Sequence, residues 1–419
     1  MRKSGIRLLL GVLLSQPAFA ETLDLYTFEA PPYQVMQTEA GHPIGVTGTT
    51  VSALQCIFRQ IGWQNNIRAV PENRAIQALQ SNQVDGIFAV GESPQFNAYA
   101  AATAPIALEK WYFFARQPIA DFHQARLSAI AGSNQARWLR GHNYPVLIEA
   151  TSTEQMLALL DRKRVDAIVA DAHVMATFLH QRGAHPVDPI AQFHATFIRF
   201  APLRLYLNQR FTARHPGFLE QFNHHLAGCV STDFELRPSE RLELETLARA
   251  LLSSLRSTID VSANILGSNR RSTLAEILNL DSQWQALAPY APSPLASTLL
   301  ALPASRQLSK WQAGSHGLVS EAFLMDDLGA ISALSQLTSD YWQGDEAKFQ
   351  DLLNQPPGSL VVSPMYFDDS SKRFQVTVSQ AVTSKQTGRF IGAIAIGLDV
   401  ESALQALDGE PSSSAPRLH

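Results

Sequence analysis

The sequence predicts two α/β lobes followed by a separate α+β unit. Three observations carry this. Strand-like and helix-like pieces alternate over 22–229, one piece of that alternation recurs, and beyond residue 320 the pattern turns to consecutive strands. In the recurring piece a helix, a polar turn and a Val-Asp-small-Ile strand opening follow one another, at 76–87 and again at 156–168. Two lobes of one architecture are the plain reading.

In chain order, 23–27 reads as a strand, followed by the loop Glu29-Ala30-Pro31-Pro32-Tyr33. Over 49–62, Val51, Leu54, Phe58 and Ile61 have helical spacing and Gly62 ends the run. A short helix at 74–80 precedes a buried strand at 84–90 that stops at Gly91. The second lobe repeats the rhythm: strand 127–130, a helix opened by Gly132-Ser133-Asn134, helix 153–160, strand 165–171 and helix 173–182. A helix at 215–227 ends the unit. A long helix over 239–256 carries Leu244, Leu247, Leu251 and Leu255, which pack on the following domain or form a dimer stripe. The Pro/Ala/Ser-rich 290–303 reads as a linker. Strands are then expected at 321–325, 330–334, 359–363, 373–382 and 389–398, an antiparallel sheet.

The domain plan is therefore a signal peptide (1–20), a two-lobed domain (21–230), a helical connector and linker (231–305), a sensor-sized α+β domain (306–408) and a disordered tail (409–419). The signal-peptide reading rests on Arg2, Lys3 and Arg7 before an apolar run, with Ala18-Phe19-Ala20 as cleavage site. It places the mature protein in the periplasm. Cleavage moves the formal charge from −4 to −7, which is no nucleic-acid footprint. No later stretch is apolar for the roughly 20 residues a membrane span needs. The histidines are scattered and form no metal pattern, no phosphate loop or nucleophile elbow occurs, and no cofactor is expected. Two cysteines, Cys56 and Cys229, either bridge in an oxidising compartment or sit as separate buried thiols.

The first half resembles the periplasmic solute-binding proteins of family 3, which include the polar-amino-acid binders and have the type II periplasmic binding fold. The resemblance is carried by Pro31-Pro32-Tyr33, Val70-Pro71-Glu72-Asn73-Arg74-Ala75, Val84-Asp85-Gly86-Ile87-Phe88 with Ala104-Pro105-Ile106, and Arg164 through Asp171. It implies two lobes joined by crossing segments and closing on a small molecule. Strand ends and helix starts then supply the ligand-binding candidates: Tyr26, Phe28, Glu29, Tyr33, Arg74, Gly91, Ser93, Trp111, Ser133, Asn134 and Asp171. Core packing is the alternative for Tyr26 and Phe28, and a helix cap for Asp171. The resemblance also brings the 215–227 helix back onto the first lobe, which implies a Cys56–Cys229 bridge with a stapling role. One departure stands out: the stretch after the 84–90 strand holds no arginine to pair with a ligand carboxylate, and Phe96 stands about where one is expected. Enzymatic turnover by Glu29 and Asp171 as an acid/base pair, in the manner of a dehydratase, is the minority alternative to binding.

The last part resembles the Cache (PDC, PAS-like) sensor domains, on Glu321 through Gly329, the stretch Thr338-Ser339-Asp340-Tyr341-Trp342-Gln343-Gly344-Asp345-Glu346, and Thr387 through Ile394. Asp340, Tyr341, Trp342 and Asp345 are the candidates for a second pocket; the alternative is that Trp342 plugs the core and the acids cap a helix. No kinase or methyl-accepting segment follows. The whole therefore reads as a binder of an amino-acid-like solute or organic acid that presents occupancy to a membrane receptor, or else serves an ABC permease as its substrate-binding subunit. A homodimer is allowed by the leucine stripe.

Overall fold

A computed structural model describes residues 22–91, 96–183, 188–226, 228–230, 234–268, 273–287, 291–353, 355–356, 358–368 and 371–408. The signal-peptide and tail readings, and Ser93, lie outside these residues.

The first lobe runs β1 (Thr22–Thr27), a hairpin of β2 (Val35–Glu39) and β3 (His42–Thr47), α1 (Thr49–Ile61), β4 (Gln64–Ala69), α2 (Glu72–Gln80), β5 (Gly86–Gly91) and β6 (Ala100–Ala102). Gly62 closes α1 in the left-handed region at φ 75°, a conformation that suits glycine. Strand β7 (Ala107–Ala115) crosses to the second lobe: β8 (Leu127–Ile130), α3 (Asn134–Gly141), β9 (Val146–Ala150), α4 (Thr153–Asp161), β10 (Ala167–Asp171) and α5 (Ala172–Gln181). Strand β11 (His194–Asn208) crosses back to α6 (Gln209–Arg214) and α7 (Phe218–Leu226).

The sheet order is β4-β1-β5-β11-β7-β10-β8-β9. Strands β1, β4 and β5 are parallel in one lobe, and β8, β9 and β10 in the other. The fifteen-residue β11 belongs to both: it pairs with β7 from His194 to Leu203 and with β5 from Leu203 to Leu207, antiparallel throughout. The two crossing strands thus join the lobes. Helix α7 packs Phe218 and Phe222 against Phe58 of α1 in the first lobe's core. That return brings Cys56 and Cys229 to a Cα separation of 5.6 Å, where they form the disulfide.

Beyond the lobes come α8 (Pro238–Thr258), α9 (Val261–Ser268), α10 (Leu274–Leu287), α11 (Pro294–Leu300) and α12 (Pro303–Gly314). The stretch read as a linker is therefore partly helical: Ser293 caps α11, and Ala296 and Leu299 enter the core. The sheet that follows contains β12 (Val319–Asp326), β13 (Ile331–Leu334), β14 (Leu360–Val362), β15 (Tyr366–Asp368), β16 (Arg373–Thr383) and β17 (Phe390–Asp399), with α13 (Ala347–Gln350) after β13 and α14 (Val400–Asp408) at the end. Its order is β13-β12-β17-β16-β14, antiparallel, with β15 beside β16.

This second domain is not a bead on a string. One apolar cluster runs from Phe114 and Met175 of the second lobe through Leu244, Leu251, Leu252 and Leu255 of α8 to Val376, Ile394 and Ile396 of the sheet. The leucine stripe is spent inside the chain, which corrects the dimer reading: an apolar face already buried is not available to a second copy. Helix α14 also grips the returning crossing strand, where the Phe197 amide donates to Asp408 and Gln405 donates to the Ile198 carbonyl at 2.9 Å.

Candidate functional site

The carboxyl ends of β1, β4 and β5 face those of β8, β9 and β10 across β7 and β11, and helices start at both rims. Such a cleft collects ligands because strand ends leave space and helix starts leave amide donors.

At its centre Asp171 is 2 % exposed. Oδ1 accepts from the Tyr33 hydroxyl of the opposite lobe at 3.0 Å and from the Val174 amide at 2.9 Å. Oδ2 accepts the Lys110 amide at 2.7 Å. Burial pushes this carboxyl up, against the pull of those three donors. Asp171 is therefore at once the cap of α5 and a contact between lobes, and its acceptors are occupied.

The residue that sequence reasoning missed is Glu109. The register pairs Asp171 with Trp111, so β7 enters the cleft at Glu109 and Lys110. Glu109 is half-buried, and one carboxyl oxygen takes the Trp111 indole at 2.7 Å and the Gln135 amide at 3.5 Å. Burial, then the charge of Asp171, pushes its pKa up to about 8, with the Trp111 hydrogen bond opposing. The signal existed in the sequence: Glu109-Lys110 interrupts an otherwise apolar run from Ile106 to Ala115.

A carboxyl raised in this way favours the folded state while protonated. Its contribution is full below about pH 4.5 and is lost as pH rises through about 8. Glu109→Gln should therefore flatten the fall in melting temperature between pH 6 and 9. Part of the wild-type fall will persist, because burial also lifts Glu401 to about 7. An identical slope in the variant would contradict the assignment.

Other candidates fall as follows. Tyr26 and Phe28 are half-buried against the cluster of Ala75, Leu79 and Phe96. Trp111 is buried beside Trp138, with the Arg199 guanidinium 5.7 Å from its ring. Ser133 caps α3, Asn134 accepts from Arg137, and Gly91 ends β5. Glu29 and Arg74 are exposed. The carboxyl that feels the charge of Asp171 is thus Glu109, where the acid/base alternative expected Glu29.

Behind the cleft, the other face of β7 is tied to the second domain. Lys110 Nζ meets Glu240 Oε2 of α8 at 2.9 Å, the Tyr112 hydroxyl donates to Glu240 Oε1 at 2.5 Å, and Arg237 Nε lies 3.1 Å from Oε1. Burial would raise the Glu240 carboxyl, but the charges of Lys110 and Arg237 overcome it and hold it at about 2.

In the second domain, a groove of about 1230 Å³ opens on the sheet face carrying Glu321 and Phe323. Of the four candidates there, only Asp340 lines it. Tyr341 is buried and stacks on Trp284, 5.7 Å between rings. Trp342 packs on the β12–β13 turn, its indole donating to the Leu328 carbonyl at 2.8 Å, and Asp345 is exposed. The aromatic pair is thus structural, because Asp281 of α10 accepts both of their amides and pins them to the core. Among the described residues no group of histidines, cysteines and carboxylates could hold a metal ion, and no helix is long and apolar enough to cross a membrane.

No family model and no curated protein matches the chain. Among solved structures it is similar to the GluR0 ligand-binding core from Nostoc punctiforme in complex with (L)-glutamate, at 20 % identity over 49 % of this chain and 92 % of that one, TM-score 0.38. A histidine kinase sensor domain with similarity to periplasmic binding proteins matches at 17 % identity over 50 % and 90 %, TM-score 0.39. An ancestral amino acid-binding protein, a precursor of cyclohexadienyl dehydratase, matches at 14 % over 49 % and 88 %, TM-score 0.37.

Proposed function

We propose that this chain is an exported solute-binding protein that holds a small molecule between its lobes and presents that occupancy to a membrane signalling partner. The observation that carries the reading is the facing of two sets of strand ends across two crossing strands, with Glu109 and Trp111 at their centre. The cleft floor offers the Glu109 carboxyl, which with a pKa of about 8 carries a proton to donate as well as oxygens that accept, and this suits a solute with both hydrogen-bond donors and acceptors. Signalling is favoured over delivery to an ABC permease by the second domain, which shares a core with the second lobe and grips both crossing strands. A Cache-like reading of that domain is supported by its strand order, which counts 2-1-5-4-3 from its own first strand when β14, β16 and β17 are taken as third to fifth. Binding without turnover is part of the proposal.

The test is a thermal-shift screen of small metabolites on the full chain, with mass spectrometry of each hit. A stabilising compound should be recovered unchanged and should bind Glu109→Gln at least tenfold more weakly. Conversion of the compound would favour the enzyme reading, and undiminished binding to the variant would remove Glu109 from the site.

A further inference from the structure

The second domain holds the two lobes unequally. Its apolar core is continuous with that of the second lobe, where Leu160, Ile168 and Met175 join Leu252 of α8 and Val376 of β16 in one cluster. The two core clusters of the first lobe contain no residue beyond Val230. From His194 to Phe200 the strand β11 pairs with β7 on one side, and β5 joins its other side only from Leu203. Helix α14 covers that open edge, its Asp408 accepting the Phe197 amide and its Gln405 donating to the Ile198 carbonyl, as a neighbouring strand would. The ion pairs of Lys110 with Glu240, at 2.9 Å, and of Arg237 with Asp188, at 3.5 Å, lie along the same seam. The second lobe and the second domain are thus packed as one body.

Past Phe200 the same strand enters the first lobe, and the second domain touches it differently there. Arg204 pairs with Val90 of β5 and is 8 % exposed. Its guanidinium lies 5.3 Å from the ring centroid of Phe367 in β15, and one terminal nitrogen donates to the Thr103 carbonyl at 2.8 Å. No described carboxylate pairs with it, and its Nε is a buried donor with no acceptor among the described residues. A buried orphan of this kind asks for a reason. A buried ion pair here would pin the first lobe to the second domain, since breaking one is strongly destabilising. A cation over a ring face is held more weakly and with looser geometry, so the guanidinium can travel across Phe367 at small cost. Behind Phe367 stands Phe374 of β16, 5.2 Å away between rings, and Phe374 also meets Phe200 at 5.5 Å.

We infer that the first lobe is the moving arm of this molecule, swinging against a body made of the second lobe and the second domain, and that Arg204 on Phe367 is the contact through which the second domain reads its position. The inference rests on the reading that the lobes close on a solute, and it adds the route outward. Movement of Arg204 displaces Phe367, and with it the pairing of β15 on β16 at Tyr366, Phe367 and Asp368.

The experiment needs no solute. Spin labels on unnatural ketone side chains, which spare the disulfide, replace exposed residues in pairs: Gln64 on β4, Leu147 on β9 and Gln386 in the β16–β17 turn. The lobes are loosened by Tyr33→Phe, which removes the hydrogen bond to Asp171, together with Arg137→Glu, which turns the 3.4 Å pair with Glu72 across the cleft into a repulsion. Electron–electron resonance should then show the 64–147 and 64–386 distances shifting by more than about 2 Å, the scale of a hinge rearrangement, while 147–386 stays in place. Hydrogen exchange of the β15 and β16 amides should rise severalfold in the loosened chain. The rise should vanish when Phe367→Leu is added, a change that keeps an apolar side chain on Phe374 and whose fold circular dichroism checks. A 147–386 distance that shifts as well would separate the second domain from the second lobe and overturn the proposal. So would a 64–147 or 64–386 distance that stays fixed, or an exchange response that Phe367→Leu leaves intact. None of these outcomes bears on what Glu109 binds, so the solute reading is tested separately by its own screen.

Discussion

Glu240→Ala is expected to lower the stability of the chain by about 3–5 kcal/mol, the usual loss when one partner of a buried ion pair is removed. Glu240 is fully buried, yet it sits among donors: the Lys110 ammonium, the Arg237 guanidinium and backbone amide, and the Tyr112 hydroxyl. Alanine leaves Lys110 buried and short of its carboxylate, with only the Glu235 carbonyl still accepting at 2.6 Å. The sign with pH follows from the lowered carboxyl. A group held at about 2 in the folded state adds stability above about pH 4.5, and that stability is lost as pH falls toward 2. Wild type and variant should therefore differ most at neutral pH and converge in acid. Urea unfolding at pH 7 and near pH 2.5 measures this, and a loss under about 1 kcal/mol at pH 7 would show that the cluster is not the tie it resembles. Because Glu240 joins β7 to α8, ligand binding in the cleft should weaken as well, through the lost seating of Lys110.

The second large effect is expected from the double change Cys56→Ser, Cys229→Ser. The bridge closes a separation of 173 residues, and the chain-entropy relation puts its ceiling at roughly 5 kcal/mol, with native disulfides commonly worth about 2–5. It closes a ring that runs through both lobes and fastens α7 to α1, where Phe58, Phe211, Phe218 and Phe222 already meet. Those aromatics keep the variant foldable, so the loss should appear as a lower melting temperature and earlier proteolysis after α6. A melting temperature unchanged by the substitutions or by reductant would show that packing alone holds the return.

Local pattern made much of the fold readable. The repeated Val-Asp-small-Ile opening marks β5 and β10 because a buried parallel strand after a helix needs the same apolar run in either lobe. The crossing strands were harder to read. Their residues look like any apolar strand, and only pairing shows that β11 serves two lobes. The stretch read as a linker hid α11, since Pro294 at the helix start and alanines within are as compatible with a helix as with a loop. Tyr341 and Trp342 were offered as pocket walls from their chemistry, and the core claimed them through Asp281, some sixty positions earlier.

By itself the sequence determined many of the helices and strands, that the chain divides into two lobes and an α+β unit, and which cysteines were there to bridge, because periodicity and turn residues act over a few positions. Tertiary structure alone decided which charges are buried and beside what. Glu240 lies 130 residues from Lys110, and Glu109 acquires its raised carboxyl from burial first and then from the charge of Asp171 across a strand pair. Desolvation and Coulomb energy depend on distance in space, and neither is written into the spacing of residues along a chain.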